Sequence, residues 1–418
     1  MSLINIVSAL GNNNSIYPLL VRDCGIENLA KCALTYKQNA KESKFIAREA
    51  TRERIIDEYS TSIIWLGGIP LMEKLMDKFI KKFGLSPKIN LKLFNETESQ
   101  GINLNIKKFK NTAPEIVSQL EKVKNNKTLY QNLQAAKFFA TTAIPIAIMG
   151  FVLPKLNFLY TKKKLNKIRS SNTIPFKAQT MDEFMRNTRK DKNLSFCGLE
   201  KIANMSQLQK MMILDGGLTV GRVKTGRNKS EKAELAFKMA GMCYLNYLAP
   251  KKIEKLLNKL TKTIFGINTD LDVKVLNDKN FIKEIKNQTL LLPKANNEKA
   301  IIDFIDNNPD CVFVEQIKNL KLISTIKNGL RDPRCYVETD KIAQFKNAVE
   351  EFSKSALKSD NVEQFAKKAL RAKSFNTVAN VAISSFLLAV MLPRVQFLFR
   401  KLITGSNLDP GIKNYAKE

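Results

Sequence analysis

Apolar stretches interrupt a lysine-rich chain, and two of them follow one pattern. Residues 138–154 form an uncharged run of seventeen between Lys137 and Lys155, and residues 374–393 form one of twenty before Arg394. A helix needs about 20 predominantly apolar residues to cross a bilayer, so both runs are candidates, the first at the lower limit. Each closes on Leu-Pro, then a cation, a branched residue, an amide and Phe-Leu: Leu153, Pro154, Lys155, Leu156, Asn157, Phe158, Leu159 against Leu392, Pro393, Arg394, Val395, Gln396, Phe397, Leu398. Two unrelated helices would seldom agree over such a stretch. The pattern predicts an internal duplication, with the oily helix ending at its proline.

Other pieces fit the same plan. Residues 60–71 and 239–250 are uncharged but too short to span, and are expected to be buried or to dip into the membrane as re-entrant hairpins packed on protein. After them Met72, Leu75, Met76, Phe79, Ile80 and Phe83, and likewise Ile253, Leu256, Leu257, Leu260 and Ile264, recur at the spacing of a one-faced helix. Gly84 and Gly266 follow as expected C-caps. Alternation at 89–94 and 271–276, and the Cys311 to Val314 run, predict short strands. Residues 27–59 read as a solvated amphipathic helix, with Ile26, Leu29, Ala30 and Ala33 on its apolar face.

These patterns predict a mainly α fold: two divergent tandem helical repeats, each with an amphipathic helix and a long apolar helix of transmembrane length, plus minor short strands. The first repeat covers 1–160 and a basic linker, broken by Pro175, covers 161–206. The second repeat covers 207–405, with an insertion at about 278–373, and a tail at 406–418 is expected to fray.

Composition narrows the chemistry. The 418 residues carry no histidine, which removes imidazole bases, the usual zinc ligand and imidazole-dependent triads. Six scattered cysteines form no CxxC pair, as expected of reduced thiols in a cytoplasmic setting. The N-terminus has no basic region before its short apolar run, so no signal peptide is expected. A net charge of +30 favours anionic headgroups, acidic proteins or nucleic acid without choosing among them. Its spread along the whole chain weakens it as a signal for any one partner.

Membrane-interface candidates are Lys155, Tyr160, Arg394 and Phe399, cations and aromatics at the ends of the two runs. Weak anion-binding candidates are Gly221, Arg222, Lys224, Arg227 and Ser230, in a glycine-containing stretch that opens onto a helix capped by Ser230. That stretch fails the P-loop template, because Arg227-Asn228 follow Gly226 where Lys-Ser/Thr is required. The serine β-lactamase-like triplets beginning at Ser355, Ser359 and Lys224 are in the wrong order, and the Asn268, Asp270, Asp272 spacing lacks the glycine of a calcium loop. Polar Asn376, Asn380, Ser384 and Ser385 on the second run are expected to hydrogen-bond between helices.

The expectation is a non-enzymatic, basic, membrane-associated helical repeat protein with a scaffolding or interaction role and no cofactor. It would lie at the inner (cytoplasmic) membrane, with the bulk of the chain on the cytoplasmic side. Its partners would be a lipid bilayer with anionic headgroups and an acidic protein, with nucleic acid ranked lower. The alternative is a soluble, cytoplasmic nucleic-acid or phosphate-ligand binding protein.

Overall fold

The computed structural model describes residues 3–11, 20–95, 99–169 and 207–413. Among them the chain is mainly helical and has no sheet. The α-helices are α1 Leu3–Gly11, α2 Asn28–Asn39, α3 Lys44–Ile63, α4 Ile69–Lys82, α5 Ile102–Phe109, α6 Pro114–Asn125, α7 Lys127–Ala147, α8 Leu153–Arg169 and α9 Gln207–Thr225. They continue with α10 Lys229–Tyr247, α11 Ala249–Phe265, α12 Val273–Leu276, α13 Lys279–Lys286, α14 Glu298–Asn307, α15 Val312–Asn319, α16 Thr339–Leu357, α17 Val362–Phe386 and α18 Leu392–Thr404.

The expected strands are helical turns. Asn90 caps a 3₁₀ turn, Leu91–Phe94, by accepting from the Lys92 N–H, and Asp272 caps α12 by accepting from the Lys274 N–H. These local side-chain acceptors favour a tight turn over an extended ladder. In α15 the Phe313, Val314 and Ile317 side chains are all buried, a helical spacing that a strand could not present to one core. The only extended pairing among the described residues is an isolated antiparallel bridge between Thr325 and Arg331. Gly84 and Gly266 do follow their helices with positive φ, 73° and 64°, which a glycine adopts without steric cost.

The apolar helices do not end at their prolines. Among the described residues two continuous helical stretches, Lys127–Asn166 and Val362–Thr404, are long and apolar enough to cross a membrane. In each, a π-helical turn stands immediately before Leu-Pro: Ile148–Val152 ahead of Pro154, and Leu387–Met391 ahead of Pro393. A third, Ile64–Gly68, precedes Ile69-Pro70. The N–H groups of Leu153, Leu392 and Ile69 reach back five residues, to the carbonyls of Ile148, Leu387 and Ile64. Proline has no N–H, and its ring clashes with the carbonyl four residues earlier; one widened turn lets the helix run on. Residues 60–71 therefore continue as helix where a re-entrant hairpin was expected. At 239–250 the chain stays helical to Tyr247, and α11 starts afresh at Ala249 with Pro250 in its first turn.

The chain packs as two compact units. The first comprises Met1–Glu27, Leu71–Gln134 and Gly241–Leu392; the second comprises Asn28–Pro70, Ala135–Ala240 and Pro393–Glu418. In the first unit the main apolar core lies between Ile267 and Ala369, with Phe281, Ile301, Phe313, Ile342 and Val349 fully enclosed. The Phe313 ring stacks on Phe345 at 5.3 Å between centroids. Asn297 and Asn361 cap α14 and α17 through the N–H groups of Ala300 and Gln364, which fixes where those core helices begin.

Outside that core the first unit turns its helices around. On α11 the polar side faces in: Thr261 and Asn258 meet Asn376 of α17, whose amide nitrogen donates to Thr261 at 3.0 Å and to Thr269 at 3.1 Å, and Glu254 pairs with Lys373 at 3.2 Å. The apolar side faces out, with Leu256, Leu260 and Ile264 exposed, Ile264 at 66%. On α17 the buried residues include Asn376, Thr377, Ser384 and Ser385, whereas Phe375 (70%), Val378 and Phe386 are exposed. α4 buries only Ile80 and exposes Leu71, Leu75 and Phe79.

In the second unit the same inversion governs α2 and α3. α2 buries Asn28, Lys31, Thr35 and Asn39 and exposes Leu29; α3 buries Glu49, Glu53 and Glu58 and exposes Ile55, Ile56 and Ile63. The solvated-helix expectation for 27–59 is corrected: the carboxylates point inward because Lys31, Lys164, Arg222, Arg227 and Lys238, from outside α3, meet them there. A small apolar cluster of Ile46, Ala50, Leu165, Leu408 and Ile412 seals one side. The segment after Gly405, expected to fray, is held as far as it is described: Ser406 Oγ donates to Glu42, and the Asp409 N–H donates to Asn39 Oδ1 at 2.8 Å. Of the expected linker, 161–169 belongs to α8 and buries Thr161 and Leu165; 170–206 lies outside the described residues.

Candidate functional site

The buried face of α3 is one wall of a polar chamber in the second unit, enclosing a cavity of ≈ 80 Å³. Carboxylates at Glu49, Glu53 and Asp57 recur at i, i+4 and i+8, which stacks them along one side of the helix. The opposite walls supply the cations. Arg222 of α9 donates to Asp57 Oδ1 at 2.8 Å and to Thr61 Oγ1 at 2.8 Å. Arg227, in the turn before α10, forks onto both oxygens of Glu53 at 3.1 and 3.0 Å and donates to Glu231 at 2.8 Å. Arg400 of α18 binds both oxygens of Glu234 at 2.7 and 2.9 Å, with Gln396 donating to the same carboxylate at 2.6 Å.

Glu58 sits deepest. Lys238 Nζ donates to it at 3.0 Å, Arg54 Nε lies 2.9 Å away and Lys31 Nζ 3.7 Å away. Burial alone would raise its carboxyl, but Lys238, Lys31 and Arg54 outweigh that and hold it well below the usual carboxylate range. At the other end burial wins: it pushes Glu53 up to about 7 against the attraction of Arg227, and it raises Glu231 as well. Burial, reinforced by the charge of Arg54, lowers Lys238 to about 8. The chamber thus holds one carboxyl and one amine that change charge close to neutrality.

Helix α9 approaches the chamber wall through glycine. A Cβ on Gly221 would lie 2.9 Å from the Gly150 backbone, and one on Gly217 would lie 2.5 Å from Ile146 Cδ1. The Gly150 carbonyl is the one Pro154 leaves without an i+4 donor, and the missing side chain at Gly221 lets the two backbones meet. This small-xxx-small contact fixes the depth at which Arg222, the next residue, enters the chamber.

The anion-binding candidates are separated by this arrangement. Residues 207–225 are α-helix, so the glycine-containing stretch from Asp215 to Thr225 is not a loop; Gly217 and Gly221 serve helix packing, and the backbone N–H groups stay inside the helix. Gly221 and Arg222 are buried, Arg222 and Arg227 face carboxylates, and Lys224 is exposed. Ser230 is half-buried and does not cap α10; Asn228 Oδ1 accepts from the Glu231 N–H at 2.8 Å while Glu231 accepts from the Arg227 N–H, a reciprocal cap.

Among the membrane-interface candidates, Arg394 and Tyr160 are exposed, with Arg52 4.5 Å above the Tyr160 ring; Lys155 is half-buried. Phe399 is half-buried and stacks on Phe237 at 4.7 Å. Sequence reasoning missed the acids Glu53, Glu58, Glu231 and Glu234 and the cations Lys31, Lys238 and Arg400. A signal existed in the i, i+4 carboxylates of α3 opposite its isoleucines, but the face turned inward was not legible from spacing. No protein-family model matches the chain, and no match is found among curated proteins or solved structures.

Proposed function

We propose that this is a non-enzymatic membrane protein with a scaffolding or interaction role, embedded through residues 138–154 and 374–393 and attached to anionic headgroups by its basic surface. The observation that carries the reading is the inversion of α11 and α17: their hydrogen-bonding residues are sequestered and their large apolar residues face outward. In water such a surface is costly, at about 25 cal/mol for each Å² of apolar area left exposed; in a hydrocarbon phase the same surface is at rest. Amphipathic α4 and α11, with Lys74, Lys78, Lys81 and Lys82 on one and Lys251, Lys252, Lys255 and Lys259 on the other, suit the headgroup layer. Excess lysine argues for a cytoplasmic-side bulk.

The widened turn before each Leu-Pro supports descent of the two apolar helices from one ancestral repeat. Ion pairing of Arg222 and Arg227 weighs against the phosphate-binding alternative. Membrane fractionation tests the proposal. The protein is expected in the membrane pellet after high-salt and alkaline washes, and in the supernatant only after detergent. Release by either wash without detergent would remove the embedding.

A further inference from the structure

We propose that the cavity in the second unit is a binding site for a small monovalent anion, of halide to nitrate or bicarbonate size, held between Arg54, Arg222 and Lys238. The site goes beyond the membrane reading and does not depend on it. Its first support is the separation of charge within the chamber. Around Glu58 and Asp57 stand Lys31, Arg54, Lys238 and Arg222, four cations against two carboxylates. Around Arg227 and Arg400 stand Glu53, Glu231, Glu234 and Asp409, two cations against four carboxylates.

The second support is independent of that balance. Arg222 is only 5% exposed, lines the cavity, and has an Nε without a hydrogen-bond acceptor; Arg54 Nε, also on the lining, has no aligned acceptor either. A buried guanidinium N–H left unmatched is expensive, and an anion is the partner that gains most from two guanidiniums and an ammonium on one lining. The cavity of ≈ 80 Å³ has space for a few waters or one small anion.

Protons enter through the opposite end. Glu53 faces Arg227 from the turn before α10, Asp409 from the C-terminal segment, and Thr161 of α8. Lys238 faces Glu58, Arg54 and Asp57 of α3, Arg222 of α9, and Lys31 of α2 through the shared Glu58. Protonating Glu53 as pH falls through about 7, with Lys238 cationic below about 8, leaves the chamber net positive. An anion then restores neutrality, so binding strengthens as pH falls and takes up protons.

The test is calorimetric titration of chloride and bromide into the purified full-length protein in gluconate buffer, at about pH 6 and about pH 8.5, either side of the two groups. Saturable one-to-one binding, tighter at the lower pH, is expected. Arg222→Gln should weaken it at least about tenfold, the loss of one charge-assisted hydrogen bond. Lys224→Gln, an exposed residue of the same helix, should leave it unchanged. If Arg222→Gln does not fold, the anomalous signal of bromide in wild-type crystals decides, with a peak expected within hydrogen-bonding distance of Arg222 Nε. Absence of saturable binding at both pH values, loss of binding in Lys224→Gln, or a chamber holding only water beside bromide bound elsewhere would overturn the site.

Discussion

The largest buried cluster of each unit is built from an opposite kind of residue. Between Ile267 and Ala369 the first unit encloses an aromatic and aliphatic core of ordinary composition, whereas the second unit encloses ion pairs and leaves its apolar clusters small. The difference teaches that helicity and amphipathicity do not say which side of a helix is the inside. A core of Phe281, Phe313 and Phe352 is stabilised by removal from water and by close packing. A core of Glu58, Lys238 and Arg400 gains little net stability from its pairs, since desolvation offsets attraction, yet it is severely damaged when one partner is lost. Such a core constrains geometry more than it adds stability.

The largest effect expected from breaking the comparison is Glu58→Ala. It strands Lys31, Arg54 and Lys238 without their shared counter-charge and should cost about 3–5 kcal/mol in chemical unfolding of the detergent-solubilised protein. A double change of Arg400→Met with Glu234→Leu should cost far less than either single change, because it removes both charges together. If the double variant is as damaged as the singles, the pair has a role beyond mutual neutralisation. In the first unit Phe313→Ala opens a cavity among Phe304, Phe345 and their neighbours and should cost about 3 kcal/mol or more.

Smaller effects sharpen the contrast. Gly221→Val drives a side chain into the Gly150 backbone and should destabilise by about 1–3 kcal/mol, with a displaced Arg222 visible as weaker anion binding. A pH dependence sharpens the contrast without a substitution. Glu53 takes its proton at about 7 when folded and at the ordinary value of 4.5 when unfolded, so the folded state binds more protons in that interval and stability should fall as pH rises across it. Lys238 works in the other direction: its folded value of about 8 lies below 10.5, and stability should rise with pH between them. Thermal midpoints across that range should pass through a minimum near neutrality, and Glu53→Gln should flatten the acidic limb.

Much of the secondary structure is legible in the chain. The two apolar runs, the one-faced helices before Gly84 and Gly266, and the interhelical use of Asn376 are all read from spacing and residue type. The strands fail because Ile89 to Phe94 and Leu271 to Leu276 alternate like strands while Asn90 and Asp272 cap turns, and a cap acts over three residues where alternation needs a partner strand. The helix ends at Pro154 and Pro393 fail because one π turn absorbs a proline that ordinarily stops a helix. The candidate site fails more broadly. Arg222 and Arg227 are visible as cations, but the acids that hold them come from α3, more than a hundred residues earlier in the chain.

The sequence alone determined where helices form, which stretches are oily enough for a bilayer, and which chemistry the absence of histidine removes, because these follow from local backbone preference and composition. Tertiary structure alone decided that the carboxylates of α3 face inward, that Arg222, Arg227 and the buried Lys31 and Lys238 meet them, and that glycine at 221 sets the approach of α9. A helix with two unlike faces is compatible with either orientation. Only the surfaces brought against it from distant parts of the chain make one of them the lower in free energy.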